Sequence, residues 1–376
     1  MESYLTAEIS ASAVRANLEL LRRGLSPGTR LCPVVKSDCY GLGVKILLNV
    51  ISELADCLAV ATGAEALEVR QLGYGGPVLT LLPSCFDADH APPQKALKEL
   101  ISQHITLTVV SPQEVAAVAD AAAALGVQAE THIKIDTGMC RGGLQPKDAP
   151  RLAERIRDHP ALRLVGMYTH FACAEDRDRT FTHLQLRRFM EAVAACGGRD
   201  RLILHAANSA ATVQLPTSHL DMVRPGIAVY GYQPIDDAQV SLPLRPALRL
   251  WARLMQVKTV PAGTGCGYGL THTFRRDSRV GLVPVGYADG FSRSLSNKAT
   301  MRVGGRNVPV CGNVSMDQTI LDLTDSPEAK VGDVVEIISP DPSAANSVEN
   351  LARLAGTIPN EVISRLGRRV RRVLVD

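Results

Sequence analysis

Short apolar runs alternate with helical patterns along the first two thirds of this 376-residue chain. The helical segments between the runs, such as 113–125 and 148–157, are rich in alanine and leucine. The predicted strands span residues 31–35, 57–62, 77–82, 105–110, 131–136, 163–169, 202–206 and 222–229. This alternation is typical of an α/β fold of the (β/α)8 TIM-type barrel class. A doubly wound parallel sheet produces the same local pattern, so the sequence alone leaves that alternative open.

The pattern changes near residue 240, where short β-rich runs begin to follow one another without helices between them. These runs span 247–260, 280–286, 299–303, 307–311, 318–323, 333–338 and 370–375, with short helical pieces at 348–354 and 361–366. Gly304-Gly305 predicts a tight hairpin turn, and 85–96 reads as a loop. We therefore predict a barrel domain over residues 11–239 and a mainly antiparallel β domain over 240–376. We expect the first ten residues to pack with the second domain.

Charge and cysteine usage narrow the class of protein. A net charge of +3 is too small to indicate a nucleic-acid or membrane partner. No apolar stretch reaches spanning length and the N-terminus lacks a signal-peptide pattern, so we expect a cytoplasmic location. The nine cysteines are scattered without a C-x-x-C pair. This pattern predicts free thiols, with neither a disulfide framework nor a metal site.

Lys36 stands at the end of the predicted strand 31–35 and is followed by a loop containing Tyr40, Gly41 and Gly43. In parallel α/β proteins the groups at the C-terminal ends of strands face the ligand site. A lysine beside a tyrosine and flexible backbone suits a cofactor that carries both a carbonyl group and a phosphate. On this segment alone, a surface lysine with a buried stem is an equally good interpretation.

Further polar residues follow the later strands of the predicted barrel. They are Lys134, Asp136 and Arg141 after the fifth strand, His170 after the sixth, Asn208 and Ser209 after the seventh, and Arg224, Gly226 and Ile227 after the eighth. A barrel would place all of them on one rim with Lys36. Any single one has a structural explanation, since a lone histidine is more often a satisfied core residue. Five strand ends in one pattern are harder to explain by packing.

These segments resemble the motifs of the alanine racemase family. The resemblance rests on VVKSDCYGLG, KIDTGMCRGG, THFACAED, HAANSAA, VRPGIAVYG, GYGLT, VGYADGFSR, GNVSMDQ and TIPNE, which are spread over nearly the whole chain. Together the motifs are highly specific; singly, only the lysine segment and the segment Arg224-Pro225-Gly226 are. The resemblance implies an enzyme built from a barrel and a β domain that uses pyridoxal 5'-phosphate to racemise a small amino acid.

The resemblance also implies roles around the cofactor. Lys36 would hold pyridoxal 5'-phosphate covalently, His170 would lie against its ring, and Arg224 would face its pyridine nitrogen. The remaining cofactor-binding residues implied, chiefly for the phosphate, are Tyr40, Asn208, Ser209, Gly226 and Ile227. Lys134 matches a lysine that is often carboxylated in relatives, and whether it is modified here is open.

Racemisation needs acid–base groups on both faces of a planar carbanion. The resemblance implies that Lys36 serves one face and Tyr268 the other. The substrate-binding residues that it implies are Arg141, Met316, Asp317, Tyr287 and Asn360. Because the tyrosine of this family reaches across a dimer interface, the resemblance also implies a head-to-tail homodimer with shared sites.

The chain departs from the family pattern at four positions. Asp38 and Leu42 stand where asparagine and histidine are usual, and Gly267 stands where serine is usual. The larger departure is Asn360, which replaces a tyrosine that walls the substrate pocket. Its amide could bond a substrate hydroxyl, which is worth about 0.5–1.5 kcal/mol. Serine, or a broader set of small amino acids, therefore remains an alternative substrate, as does a neutral replacement.

Three other functions compete with racemisation as interpretations of the sequence. A non-catalytic pyridoxal-phosphate carrier would consist of the barrel alone, whereas this chain adds residues 240–376 and Tyr268. A barrel decarboxylase for basic amino acids has signatures that are absent here. A generic phosphate-binding isomerase would be excluded if the purified protein were yellow, since that colour would indicate bound pyridoxal 5'-phosphate.

Overall fold

The computed structural model describes residues 4–83, 94–235 and 242–376. The first strand, β1 (Leu5–Ser10), leads directly into the helix Ala11–Arg23, whose N-terminus is capped by the Ser10 hydroxyl. Eight parallel strands follow. They are β2 (Arg30–Leu31), β3 (Leu58–Val60), β4 (Val78–Thr80), β5 (Ile105–Val109), β6 (Ala129–Lys134), β7 (Leu162–Tyr168), β8 (Ile203–His205) and β9 (Met222–Val223).

The parallel sheet closes into a barrel. Its hydrogen-bonded order runs from β2 through β9, β8, β7, β6, β5 and β4 to β3. Just beyond β2, Val34 pairs with Ala59 of β3 in a parallel bridge. The Val35 N–H donates to the Ala59 carbonyl at 2.9 Å, and the Ala59 N–H donates to the Pro33 carbonyl at 3.1 Å. The predicted barrel is therefore confirmed, and the open doubly wound sheet is excluded.

Helices cover the outside of the barrel. They are Val44–Ser52, Gly63–Gln71, Gln94–Ser102, Pro112–Leu125, Ala149–Arg157, Thr180–Ala195 and Ser209–Gln214. Local capping explains where several of them begin: Thr62 and Glu65 form a capping box, and Ser111 caps the helix that opens with Pro112. The predicted loop 85–96 was too long, because 94–96 are helical and the Gln94 amide donates to the Ala117 carbonyl. Residues 85–93 of that loop lie outside the described ranges.

Six of the eight predicted barrel strands are shorter than expected, and in the first and the eighth a proline interrupts the predicted run. The first was predicted over 31–35, but β2 ends at Leu31; Pro33 has no backbone N–H to donate, and beyond Leu31 the pairing is limited to an isolated bridge at Val34 and single hydrogen bonds. The eighth was predicted over 222–229, but β9 ends before Pro225 and a 3-10 turn, Ile227–Tyr230, follows it. Each early end leaves irregular backbone on the rim, where a site can form.

A nine-stranded sheet forms the second domain. Its remaining strands are β10 (Leu248–Arg253), β11 (Gln256–Val260), β14 (Ser278–Val283), β15 (Thr300–Val303), β16 (Arg306–Cys311), β17 (Thr319–Asp322), β18 (Val334–Ile338) and β19 (Arg371–Val375), while β12 (Gly265–Cys266) and β13 (His272–Thr273) form a separate pair. All neighbours are antiparallel except β1 and β19. The mainly antiparallel second domain is confirmed.

The bounds of the strands and helices in this domain differ in part from those predicted from the sequence. The run predicted as one strand over 247–260 is two, because β10 pairs with β18 whereas β11 pairs with β14. The glycine hairpin is confirmed between β15 and β16. Two helices, Val348–Ala355 and Pro359–Ser364, pack in this domain, and the second begins earlier than predicted because proline suits a first helical turn.

β1 lies between β10 and β19, so the first strand of the chain belongs to the second sheet. The predicted boundary at 239/240 falls within the undescribed segment 236–241 and stays a prediction. No helix in the described ranges combines the length and apolar character needed to cross a membrane. The eight cysteines in these ranges are free thiols, and no group of potential metal ligands was found in the same part of the chain.

The link between the two domains depends on Gly231. A Cβ there would lie 1.9 Å from the Arg245 carbonyl oxygen, and the φ angle is +93°. We expect Gly231→Ala to lower the free energy of unfolding by at least about 3 kcal/mol, through overpacking and backbone strain. Gly73→Ala is the matched control, since Gly73 has φ +94° with nothing within 4 Å; it should cost about 1–2 kcal/mol. Equal shifts of the urea midpoint for the two variants would contradict the expectation.

Candidate active site

Lys36 follows directly on the segment that closes the barrel. Its Nζ lies 5.9 Å from the centroid of the Tyr40 ring, and its stem is half-buried. Burial lowers the pKa of Lys36, and the charge of Arg141 lowers it further, while Glu65 opposes the change. The amine is therefore more readily available in its neutral, nucleophilic form than that of an exposed lysine.

The backbone after Lys36 makes a left-handed turn. Residues 37–40 have φ angles of 52–56° although none is glycine, and Gly41 follows at +83°. Each such residue costs roughly 1–2 kcal/mol in a regular left-handed conformation, so surrounding contacts must hold the turn. A Cβ on Gly41 would lie 2.4 Å from the Ile363 carbonyl oxygen, so the helix Pro359–Ser364 packs directly on the turn. The predicted loop is thus a constrained element between the two domains.

Tyr40, Ser209, Gly226 and Ile227 form what we call the hydroxyl cradle. A Cβ on Gly226 would lie 2.2 Å from the Tyr40 hydroxyl oxygen, so only glycine leaves room for that hydroxyl. The Ser209 hydroxyl oxygen accepts from the Gly226 N–H at 2.8 Å, and the Asn208 side chain caps the helix that begins at Ser209. Burial raises the pKa of Tyr40 to about 12, so its hydroxyl stays protonated and able to donate.

Arg224 is a buried cation surrounded by neutral acceptors. Its terminal nitrogens donate to His205 Nδ1 at 2.5 Å, the Thr169 carbonyl at 2.8 Å, the Ala206 carbonyl at 3.3 Å and His170 Nδ1 at 3.4 Å. The guanidinium also lies 5.0 Å from the Tyr168 ring centroid. A buried charge is costly unless its donors are satisfied, and here backbone carbonyls and imidazoles satisfy them.

The Arg224 contact fixes the tautomers of two buried histidines. Because arginine only donates, His205 Nδ1 must accept, and the ring proton therefore sits on Nε2. That nitrogen lies 2.8 Å from His132 Nδ1, which must accept in turn. Burial lowers the pKa of His132 to about 3, and burial and Arg224 lower that of His205 well below its usual range, so both rings are neutral. The sequence predicts no role for either histidine, although each precedes predicted site residues closely, His132 before Lys134 and His205 before Asn208.

The rim carries a concentration of positive charge. Burial lowers the pKa of Lys134 to about 8, with Arg141 and Arg224 adding to the effect. Burial lowers the pKa of His170 well below its usual range, and the charges of Arg224, Arg141, Lys134 and Lys36 act in the same direction. These mutual effects mean that the predicted barrel residues lie within electrostatic reach of one another. Such a rim favours an anionic ligand.

Arg141 is presented by a loop that Asp136 organises. One oxygen of the Asp136 carboxylate accepts from the backbone N–H groups of Gly138, Met139 and Cys140 at 2.9–3.1 Å. Arg188 donates to the Thr137 carbonyl at 3.0 Å and supports the same loop. The segment after the fifth strand is therefore a built structure that carries a basic side chain on the rim.

The predicted site residues of the second domain form a separate group. Tyr268 is 74% exposed, and no hydrogen bond or ring contact joins it to Lys36 within the described part of one chain. Tyr287 and Met316 lie together, because the Tyr287 N–H donates to the Ser315 carbonyl and the Ala288 N–H donates to the Met316 carbonyl. Both side chains are exposed. Within one chain, the side chains of Tyr268, Tyr287 and Met316 are therefore exposed to solvent.

Asp317 and Asn360 occupy different surroundings within this domain. Asp317 forms an ion pair with Arg369 at 2.6 Å, and Arg369 also pairs with the buried Asp289. Asn360 stands in the first turn of the helix Pro359–Ser364, half-buried, on the element that packs against the lysine turn. Of the second-domain residues predicted for substrate, Asn360 is therefore the one whose helix contacts the barrel site of its own chain.

Comparison with known proteins agrees with this architecture. The model of the alanine racemase N-terminal domain matches residues 9–234, and that of the C-terminal domain matches 247–374. The alanine racemase of Desulfovibrio desulfuricans is 40% identical over 374 residues, covering 98% of each chain. That of Methanococcus maripaludis is 36% identical over 98% of this chain and 97% of its own. The crystal structure of alanine racemase from D-cycloserine producing Streptomyces lavendulae has a TM-score of 0.92 at 35% identity, covering 100% of this chain and 98% of that one. This chain belongs to the alanine racemase family.

Proposed function

We propose that this protein is a pyridoxal 5'-phosphate-dependent racemase that interconverts L- and D-alanine with Lys36 and Tyr268 as its two acid–base groups. The observation that carries the proposal is the barrel rim, where a lysine of lowered pKa stands beside the hydroxyl cradle and near a buried guanidinium. The family membership of the chain supports the same reaction.

The residues of the rim fit pyridoxal 5'-phosphate. The Tyr40 and Ser209 hydroxyls and the backbone at Gly226 and Ile227 suit the phosphate, since glycine at 226 leaves the space that a Cβ would fill. Lys36 supplies the amine for covalent attachment to the carbonyl carbon. His170 is neutral and suited to lie against the ring. Arg224 can only donate, so it suits an unprotonated pyridine nitrogen.

When bound, the cofactor withdraws electrons from an attached amino acid and so acidifies its Cα–H bond. Lys36, once the substrate amine has displaced it from the carbonyl carbon, would accept or return the Cα proton at its amine nitrogen on one face. Tyr268 does the same at its hydroxyl oxygen on the other face, which inverts the configuration. Arg141 and the backbone at Met316 orient the substrate carboxylate, with Tyr287 and Asp317 beside them. Arg224, which can only donate, would keep the pyridine nitrogen unprotonated, and this would limit electron withdrawal and disfavour side reactions such as transamination.

A homodimer with shared sites completes this arrangement. In one chain Tyr268, Leu270, Met316 and Ile358 are more than half exposed, which is unusual for such large apolar side chains. A second copy placed head to tail would cover them and bring its Tyr268 to the Lys36 rim. The isolation of Tyr268 from Lys36 within one chain supports this proposal.

The first test asks whether the protein racemises amino acids and whether serine is a substrate as well as alanine. A panel of L-amino acids, incubated with the holoenzyme and resolved by chiral chromatography, should show racemised alanine and measurable racemised serine. We expect Asn360→Tyr to keep alanine turnover and to lower serine relative to alanine by about tenfold, because a hydrogen-bonding amide is lost and the pocket is filled. Asn307→Tyr, at an exposed hairpin position, is the control. Normal alanine turnover with no detectable D-serine would exclude the serine alternative, and no turnover of any amino acid would exclude racemisation.

The second test addresses the shared site. Lys36→Ala and Tyr268→Phe should each lower kcat by at least about a hundredfold, because each removes one acid–base group. Mixing the two inactive homodimers under exchange conditions should restore roughly a quarter of wild-type activity, since half the dimers become mixed and each holds one intact site. Native mass spectrometry reports whether mixed dimers form. Mixed dimers without activity would contradict sharing.

The third test concerns Lys134. Its pKa of about 8 leaves much of the amine neutral near that pH, and a neutral amine can attack carbon dioxide and release a proton. The resulting carbamate would lie near Arg141. We expect the modification to increase as the pH rises through 8 and to be lost below it, because protonation removes the reacting lone pair. Labelled bicarbonate followed by NMR should show one carbamate, absent in Lys134→Ala and retained in Lys147→Ala. A signal that survives in Lys134→Ala would contradict the assignment.

A further inference from the structure

The left-handed turn after Lys36 is held by two side chains that come from opposite directions. Glu65 lies in the helix Gly63–Gln71 of the barrel, and Arg372 lies in β19 of the second domain. We infer that Glu65 and Arg372 are positioning residues that set the place of the Lys36 amine without contacting the reacting atoms. The expected effect on kcat rests on the proposed function, whereas the restraint of the turn rests on the hydrogen bonds described next.

Glu65 holds the first residue of the turn. Its Oε1 accepts from the Ser37 N–H at 2.7 Å, while its Oε2 accepts from the N–H groups of Ala61 and Thr62 at 2.7 and 3.0 Å. The capping box fixes the second oxygen, because Thr62 also caps the Glu65 N–H. One carboxylate therefore joins the end of β3 to the residue next to Lys36. A glutamine cannot replace it, since one acceptor oxygen would become an N–H donor that faces another donor.

Arg372 holds the other end of the turn. Its Nε donates to the Gly41 carbonyl at 2.8 Å, and its terminal nitrogens donate to the carbonyls of Leu366, Gly367 and Val370 at 2.9–3.2 Å. A single planar guanidinium therefore joins the lysine turn to the segment that follows the Asn360 helix. A lysine here would keep the charge, but its compact ammonium could not span these four carbonyls.

The two anchors add to hydrogen bonds within the segment itself, where the Gly41 N–H donates to the Ser37 carbonyl at 2.8 Å and the Val44 N–H donates to the Asp38 carboxylate at 2.6 Å. Four consecutive non-glycine residues with positive φ are unfavourable, and a neighbouring carbonyl at Gly41 leaves no room for relaxation on that side. Releasing either end should let the turn move toward a more common backbone conformation. A displacement of about 1 Å at a catalytic group can reduce a rate by roughly a hundredfold.

The test compares Glu65→Gln and Arg372→Lys with two matched controls in the holoenzyme. Glu68→Gln changes an exposed carboxylate on the same helix, and Arg371→Lys changes the exposed neighbour in β19. We expect the two test variants to lower kcat for alanine by about tenfold to a hundredfold with KM changed less than about threefold, because Arg141 and Met316 are untouched. The controls should stay near wild type. The double variant should be less impaired than the product of the single effects, since both side chains restrain the same turn.

A second readout does not need turnover. The rate at which a small acylating reagent modifies Lys36 in the cofactor-free protein, followed by mass spectrometry, should change in Glu65→Gln and Arg372→Lys and not in the controls. Unchanged kcat and unchanged Lys36 labelling in both test variants would overturn the inference. Equal losses in the controls would also overturn it. If the wild type fails to racemise alanine but the labelling contrast persists, the proposed function fails and the positioning role stands.

Discussion

Main-chain hydrogen bonds at residues 33–35 close the barrel, and the predicted site depends on that closure. Val34 donates to the Pro225 carbonyl on one side, while Val35 donates to the Ala59 carbonyl on the other. The same short segment therefore joins the last barrel strand to the second and ends at Lys36. Because closure and the lysine belong to one stretch of backbone, the amine is held by the barrel itself, and the groups after the later strands meet it on one rim.

The chemistry of the rim follows from charge that the fold does not neutralise. Arg224 is buried against imidazoles and carbonyls, and Lys36, Lys134 and Arg141 add to the same field. Neutral histidines remain the stable form there, since every nearby charge opposes their protonation. Among the described residues, the hydrogen-bond partners of Arg224 are imidazoles and backbone carbonyls. A phosphate and a carboxylate are ligands that suit such a positive field, in agreement with the proposed cofactor and substrate class.

Local sequence patterns predicted the element types well and their connections poorly. The eight strands, the change of class near residue 240 and the glycine hairpin follow from apolar periodicity and turn chemistry. Closure does not, because an open sheet has the same local pattern. The left-handed turn was missed because only Asp38 among residues 37–40 is of a type that favours positive φ, and one such residue does not predict a run of four. Thr62-x-x-Glu65 could be recognised as a capping box, but the bond from Glu65 to Ser37 could not. Arg372 contacts a carbonyl 331 residues away, which periodicity cannot reveal.

The placement of β1 between β10 and β19 has a consequence for biosynthesis. As the ribosome releases the chain, β1 emerges first, but both of its hydrogen-bonding neighbours emerge only after the whole barrel has been made. β1 therefore has no neighbouring strand while the barrel folds; it can pair with β10 once residues 248–253 emerge and with β19 only once residues 371–375 emerge. The Ser10 and Ser12 hydroxyls then donate to the Asp376 carboxylate, which joins the start of the helix Ala11–Arg23 to the residue that follows β19.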